Sequence, residues 1–256
     1  EDLEHLKLIV VDEFSMVSQT LLNDLMSYNI PLILVGDQYQ LPPIGKPNKF
    51  IHKADAILTE PMRQALDNPV LWAANEVRLG RRLSLGVHGN DKTKILIADK
   101  SQLNPQWLRE DVRIITGLNK TRESINLQVA GTISPEIGHK IIFLKNDWNH
   151  FITNGTIGKI LNLEQRGFAS YKLKVLLDDE DRIIDSYAAD FQKQSKPMNQ
   201  YFDFSYAITC HRAQGATYDN PGLIFDEGFV FKENKYKWLY TAISRFTGNY
   251  NLVIIR

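Results

Sequence analysis

The chain has 256 residues, enough for one large domain or two small ones around a substantial core. Lys plus Arg equals Asp plus Glu at 30 each, which excludes a bulk positive field; any acidic polymer must be met by a local basic groove. One cysteine, Cys210, excludes an internal disulfide framework and fits a reducing compartment, so the cytoplasm is the expected location. No apolar run reaches the roughly 18 residues of a membrane span, and "EDLEHLK" lacks the basic then apolar layout of a signal peptide. The chain opens almost directly on a core strand, which reads as the later part of something longer.

In chain order, "LKLIVVD" (6–12) and "PLILVGD" (31–37) are β-branched apolar runs ending in acid, the pattern of buried parallel strands with polar groups at their carboxyl ends. Between them "SQTLLNDLMSYN" has helical spacing, giving a strand, helix, strand unit whose ligands sit at the strand carboxyl ends. "DNPVLWAANEVRLG" predicts a helix capped by Asn68, with Pro69 at its first position and Gly80 at its end. The polar, glycine-bearing stretch 84–105 is expected as a linker. A strand at 112–116 leads into a helix expected to be capped at Thr121 and closed by Gly131. Short alternating strands with Asn-Gly, Arg-Gly and Asp-rich turns then fill 138–187, predicting a small antiparallel β-barrel inserted in an α/β lobe. The α/β texture returns through "FSYAITCHRAQG", "PGLIFDEG", the helical "YKWLYTAISRFTG" and a last strand, "YNLVIIR".

Five stretches carry chemistry. Asp12 at a strand end can hold Mg²⁺, and Glu13 beside it can orient or deprotonate a water attacking a γ-phosphate, although acidic pairs at strand ends are common as plain turn residues. In "LVGDQYQLPPIG" the Gly36-Asp37 pair lets the backbone turn sharply, the Gln40 amide can touch a phosphate oxygen or water, and Pro42-Pro43 stiffens the exit. Arg63 in "LTEPMRQA" stands where it can reach phosphates from the side opposite a metal. "YAITCHRAQGATYD" (206–219) gathers Thr209, His211 and Arg212 before a Gln-Gly turn, a set suited to a phosphate backbone. In "YTAISRFTG" Arg245 ends a helix. Each of these residues alone is structural more often than functional.

Their order changes that balance. "VVDEFSM", "VGDQYQLPP", "MRQ", "AITCHRAQGATYD" and "YTAISR" together resemble motifs II, III, IV, V and VI of superfamily 1 DNA helicases, closest to the RecD/Dda/Pif1-like branch. "RIITGLNKTRESIN" resembles the start of that family's second motor lobe, and "FITNGTIGKI" the opening of its inserted SH3-like barrel. The resemblance implies RecA-like P-loop NTPase motor lobes, the first incomplete, with an SH3-like antiparallel β-barrel insertion. It divides the chain at 1–83 (first lobe), 84–105 (linker), 106–135 and 196–256 (second lobe) and 136–195 (barrel).

The resemblance also implies roles. Asp12 would hold Mg²⁺, Glu13 would be the catalytic base, and Gln40 would sense the γ-phosphate. Arg63 and Arg245 would contact phosphates, with Gly36, Asp37, Gln214 and Gly215 beside the ATP. Thr209 and His211, with Asn119 and Lys120 on the same groove, would face single-stranded DNA, which the motor would travel 5′ to 3′. A monomer is expected, in the cytoplasm beside the nucleoid, with replication or recombination proteins as further partners.

Two departures stand out. The last motif continues "SRFTGNYN" where the family has "SRAK" or "TRGR". No G-x-x-x-x-G-K-[ST] phosphate loop occurs in the 256 residues, removing several charge-assisted hydrogen bonds worth roughly 1.5–3 kcal/mol each. The expectation is a helicase fragment that hydrolyses ATP poorly alone, its phosphate loop lying upstream. The rival readings are a decayed, non-catalytic single-strand-binding module, a PhoH-like ATPase, which would lack the last two motifs and the barrel, and a viral-type RNA helicase.

Overall fold

A computed structural model describes residues 5–43, 45, 47–58, 67–90, 92–178, 182–192 and 200–256. Two short strands, β1 (Ile9–Val11) and β2 (Leu32–Leu34), pair in parallel around helix α1 (Gln19–Ser27), whose N-terminus is capped by the Ser18 hydroxyl. Val11, Leu32 and Leu34 pack on Phe14, Val17 and Leu22. The opposite face is bare: Val10 (59 % exposed) and Ile33 (48 %) lie opposite each other in register. Full burial, expected from the apolar runs, therefore fails on one face, because among the described residues α1 covers only the other.

Most of the core lies in a six-stranded sheet. Its order is β11 (Ala207–Thr209), β5 (Arg113–Thr116), β12 (Gly222–Phe225), β13 (Leu252–Ile255), β4 (Lys94–Ala98) and β3 (Gly86–Gly89). Every neighbouring pair is parallel except β3–β4. The expected linker 84–105 thus supplies two strands. The sequence hid them because β3 is short and glycine-bounded, and its pairing partner β4 owes its place to β13, more than 150 residues away. Helix α2 (Pro69–Arg78), capped by Asn68 and followed by Gly80 in left-handed geometry, falls within the span 1–83 expected for the first lobe. Its Val70, Ala73, Ala74 and Val77 instead share a core with Ile95, Ile254 and helix α5 (Lys235–Ile243).

Between β5 and β11 runs helix α3 (Asn119–Ala130), followed by a closed five-stranded barrel of order β10-β6-β7-β8-β9. Its strands are β6 (Lys140–Phe143), β7 (Ile157–Gln165), β8 (Ser170–Leu177), β9 (Ile183–Phe191) and β10 (Tyr201–Phe204). Tyr171, Leu173, Val175 and Leu177 alternate inward along β8, and irregularities at Ile160/Asn162 and Leu173/Val175 help the sheet curl shut. The barrel is not wholly antiparallel: β9 and β10 pair in parallel. An odd number of strands in a closed ring forces at least one such pair. Its last strand also lies beyond the expected boundary at 195.

α3 joins barrel to sheet. Arg122 pairs with Asp203 on β10 at 2.7 Å, and the Asn126 amide donates to the Phe204 and Ala207 carbonyls while accepting from the Ala207 N–H. The helix ends on Gly131 in left-handed geometry, as the sequence suggested, but it begins at Leu118 with no cap from its own side chains. Thr121 turns its hydroxyl elsewhere, to Glu227.

Candidate nucleotide edge and strand groove

The first candidate edge forms where β1 and β2 end. Asp12 is exposed and takes the Glu13 N–H on Oδ1 at 2.7 Å, while Glu13 sits in left-handed geometry (φ 47°) and opens a short 3-10 turn, Phe14–Met16. The Phe14 N–H donates to the Val35 carbonyl at 2.9 Å, tying that turn to the neighbouring strand end. Gly36 is required there. A Cβ on it would stand 2.9 Å from the Phe14 nitrogen and 3.1 Å from the Ser15 nitrogen, both backbone atoms. Gly36→Ala is expected to push the two strand ends apart and cost about 1–3 kcal/mol, read by chemical denaturation. A loss under about 0.5 kcal/mol would mean that the turn yields freely.

Beyond Gly36 the chain crosses to the large sheet. Asp37 accepts the Tyr39 N–H on Oδ1 and the Tyr240 hydroxyl on Oδ2. Burial and the Asp37 carboxylate push the Tyr240 phenol well above its ordinary range. Leu41 is anchored on both sides: its N–H donates to Thr241 Oγ1 at 2.8 Å, and its carbonyl accepts from Gln214 Nε2 at 2.9 Å. Gln40, between these anchors, is buried, and its Oε1 has no hydrogen-bond partner among the described residues. A buried acceptor left open is costly unless something outside the chain satisfies it.

Arg245, at the end of α5, is 6 % exposed. It donates to the Thr241 and Ala216 carbonyls and to Ser244 Oγ at 3.2–3.3 Å, and among the described residues no carboxylate pairs with it. Gly215 adopts φ +78°, which turns the chain from Gln214 toward the Ala216 carbonyl. Asp37, Gln40, Gln214, Gly215 and Arg245 therefore belong to one bonded assembly, with Asp12 and Glu13 joined to it through Gly36. Arg63 lies outside the described residues.

A second edge forms at the carboxyl ends of β5 and β11, where Thr116 pairs with Thr209. Asn119 and Lys120, the first two residues of α3, are exposed there. His211 follows Thr209 in the short helix α4 (Cys210–Ala213) and packs its ring on Phe231 at 5.6 Å. Burial lowers its pKa, favouring the neutral imidazole. The four expected groove residues thus meet at one sheet edge. Sequence reasoning missed Tyr240 and Thr241, although both stand inside the quoted "YTAISR". It also missed Glu227 and Phe231, whose contacts lie about a hundred and about twenty residues away.

A sequence family described as an AAA domain matches residues 1–46. The ATP-dependent RecD2 DNA helicase of Deinococcus radiodurans is 25 % identical over 93 % of this chain, which spans 35 % of that protein's length. The ATP-dependent DNA helicase Pif1 of Campylobacter jejuni is 24 % identical, covering 99 % of this chain and 70 % of its own. Among solved structures, a Bacteroides Pif1 helicase in complex with ADP-AlF3 and ssDNA superposes with a TM-score of 0.59 at 15 % identity, over 97 % of this chain and 70 % of that one. A second Pif1 structure, from a study of unwinding at forked dsDNA, gives 0.59 at 17 % identity over 97 % and 69 %. At these identities the structures speak for the mixed α/β fold. In motif order and in these relatives the chain is similar to RecD/Pif1-like ATP-dependent DNA helicases, and its mixed α/β fold is that of the Pif1 structures.

Proposed function

We propose that the chain is the part of an ATP-dependent DNA helicase that joins a nucleotide edge to a single-strand groove. The observation that carries this reading is the docking of Leu41 between Thr241 and Gln214, which joins three motif blocks at one contact. On this reading the first motor lobe is represented by β1, β2 and their loops. The second is the six-stranded sheet with α2 to α5, and the barrel is an SH3-like insertion in it.

ATP would lie against Gly36, Asp37, Gln40, Gln214 and Gly215, with Arg245 and Arg63 supplying positive charge to its phosphates. The buried, carboxylate-free setting of Arg245 supports this, because such a cation is suited to an incoming anion. Gln40, whose buried Oε1 has no partner among the described residues, would take a hydrogen bond from a water beside the γ-phosphate. Glu13 would take the proton of that water. Asp12 fits a Mg²⁺ site of the kind completed by water and phosphate oxygens: it is one exposed carboxylate, and no group of three His, Cys, Asp or Glu stands together among the described residues. The ion, when bound, would neutralise phosphate charge.

Thr209, His211, Asn119 and Lys120 would hold the strand. A neutral His211 would grip it by hydrogen bond or stacking rather than by charge. Travel 5′ to 3′, a monomeric state, a cytoplasmic site near the nucleoid, and replication or recombination partners complete the reading. Among the described residues no helix is long and apolar enough to cross a membrane.

Binding to labelled oligodeoxythymidylate, with duplex DNA and oligouridylate as competitors, tests the reading. Micromolar or tighter binding that falls with salt is expected, with single-stranded DNA the best competitor. Preference for oligouridylate would favour the RNA helicase instead, and no binding by the folded chain would end the strand-holding reading. Because the sequence holds no phosphate-loop motif, DNA-stimulated ATP hydrolysis by these 256 residues is expected to be slight. Turnover of about 1–10³ s⁻¹, the range typical of enzymes, would contradict it.

A further inference from the structure

The groove carries its own anion. Glu227 follows β12 and is 6 % exposed, yet its carboxylate belongs to α3: Oε2 accepts the Gly117 N–H at 2.7 Å and the Leu118 N–H at 2.9 Å, and Oε1 accepts the Thr121 hydroxyl. The helix therefore has its positive end faced by a carboxylate from a segment 110 positions along the chain from Gly117. The contact is tight. A Cβ at Gly117 would lie 2.7 Å from the Glu227 Cβ and 3.2 Å from the Phe231 ring. Phe231, four residues after Glu227, is the ring on which His211 packs. The segment bearing the carboxylate thus lies between two expected strand contacts, His211 on one side and Asn119 with Lys120 on the other.

A free helix N-terminus at a strand carboxyl edge attracts phosphate through its N–H groups and its dipole. We propose that Glu227 sets the charge of this end of the groove: its carboxylate offsets the α3 dipole and weakens the hold of Asn119 and Lys120 on an anionic backbone. It is a positioning and charge-setting residue, and the inference rests on the strand-holding reading. A motor lobe must release the strand each cycle, and a resident negative charge beside two contacts lowers the barrier to release.

Glu227→Gln isolates the charge. The amide oxygen can accept from Gly117 and Leu118, and the amide NH₂ can donate to Thr121 Oγ1, so the bonds persist with the negative charge gone. Thr121→Val is the control, since it removes one bond and keeps the charge. Affinity for labelled oligodeoxythymidylate is read across a salt series, with thermal unfolding followed in parallel. Glu227→Gln is expected to bind about two- to five-fold tighter at low salt, the gain shrinking as ionic strength passes roughly 0.15 M. Thr121→Val is expected to match the wild type. Wild-type binding with Glu227→Gln unchanged or weaker would overturn this inference alone, as would Thr121→Val tightening equally. A folded wild type that binds no strand would instead sink the functional reading beneath it.

Discussion

Arg122→Ala is expected to remove about 3–5 kcal/mol of stability, measured by urea unfolding. Arg122 and Asp203 are each 8 % exposed at the side chain and meet at 2.7 Å where α3 touches the last barrel strand. Truncating the arginine leaves the buried Asp203 carboxylate, among the described residues, with the Phe204 N–H at 2.8 Å and the through-space attraction of Arg212 in place of its direct partner. An uncompensated buried charge costs more than the pair contributes when intact. For that reason Arg122→Met combined with Asp203→Leu should recover most of the loss. A single-variant loss below about 1 kcal/mol would show that water reaches Asp203 and that the junction is looser than its geometry. The consequence reaches the groove, because Asn119 and Lys120 stand in the same first turn of the helix as Arg122.

Trp238→Ala is expected to cost a similar amount, about 3–5 kcal/mol, by cavity formation and lost transfer energy together. Trp238 is fully buried, its ring lies nearly parallel to Phe231 at 5.9 Å, and its carbonyl accepts from the Cys210 thiol. Burial pushes that thiol's pKa far up and keeps it protonated as a donor. The indole seats α5, which carries Tyr240 and Thr241 and leads into Arg245, so the cavity should also loosen the Leu41 docking. Trp238→Phe keeps most of the volume and should lose less. A loss under about 1 kcal/mol for the alanine variant, again by denaturant titration, would mean that α5 collapses onto the sheet without it.

The candidate site was legible to unequal degrees. Asp12, Gly36, Asp37 and Gln40 announce themselves, because a strand that ends in acid or Gly-Asp gives away its carboxyl edge within a few residues. Glu227 gave no such sign. Its meaning depends on Gly117 and Thr121, more than a hundred positions away, and a carboxylate after a strand otherwise reads as a turn residue. Thr121 misled in the same way: a threonine near a helix start suggests a cap, yet its hydroxyl serves the distant carboxylate.

By itself the sequence determined the local elements: the strands of the large sheet's centre, α2 with Asn68 and Gly80 at its ends, the barrel's alternation, and the order of the motifs. Those follow from periodicity and from the backbone preferences of Asn, Pro and Gly, which act over a few residues. Tertiary structure alone decided that β3 and β4 join the sheet, that α2 packs with α5, that the five-stranded ring closes through a parallel pair, and that one face of β1–β2 stays bare. It also decided the docking of Leu41 and the charge at α3. Pairing and burial of this kind are set by which surfaces meet, and a local pattern records only that a surface is apolar, not what will cover it.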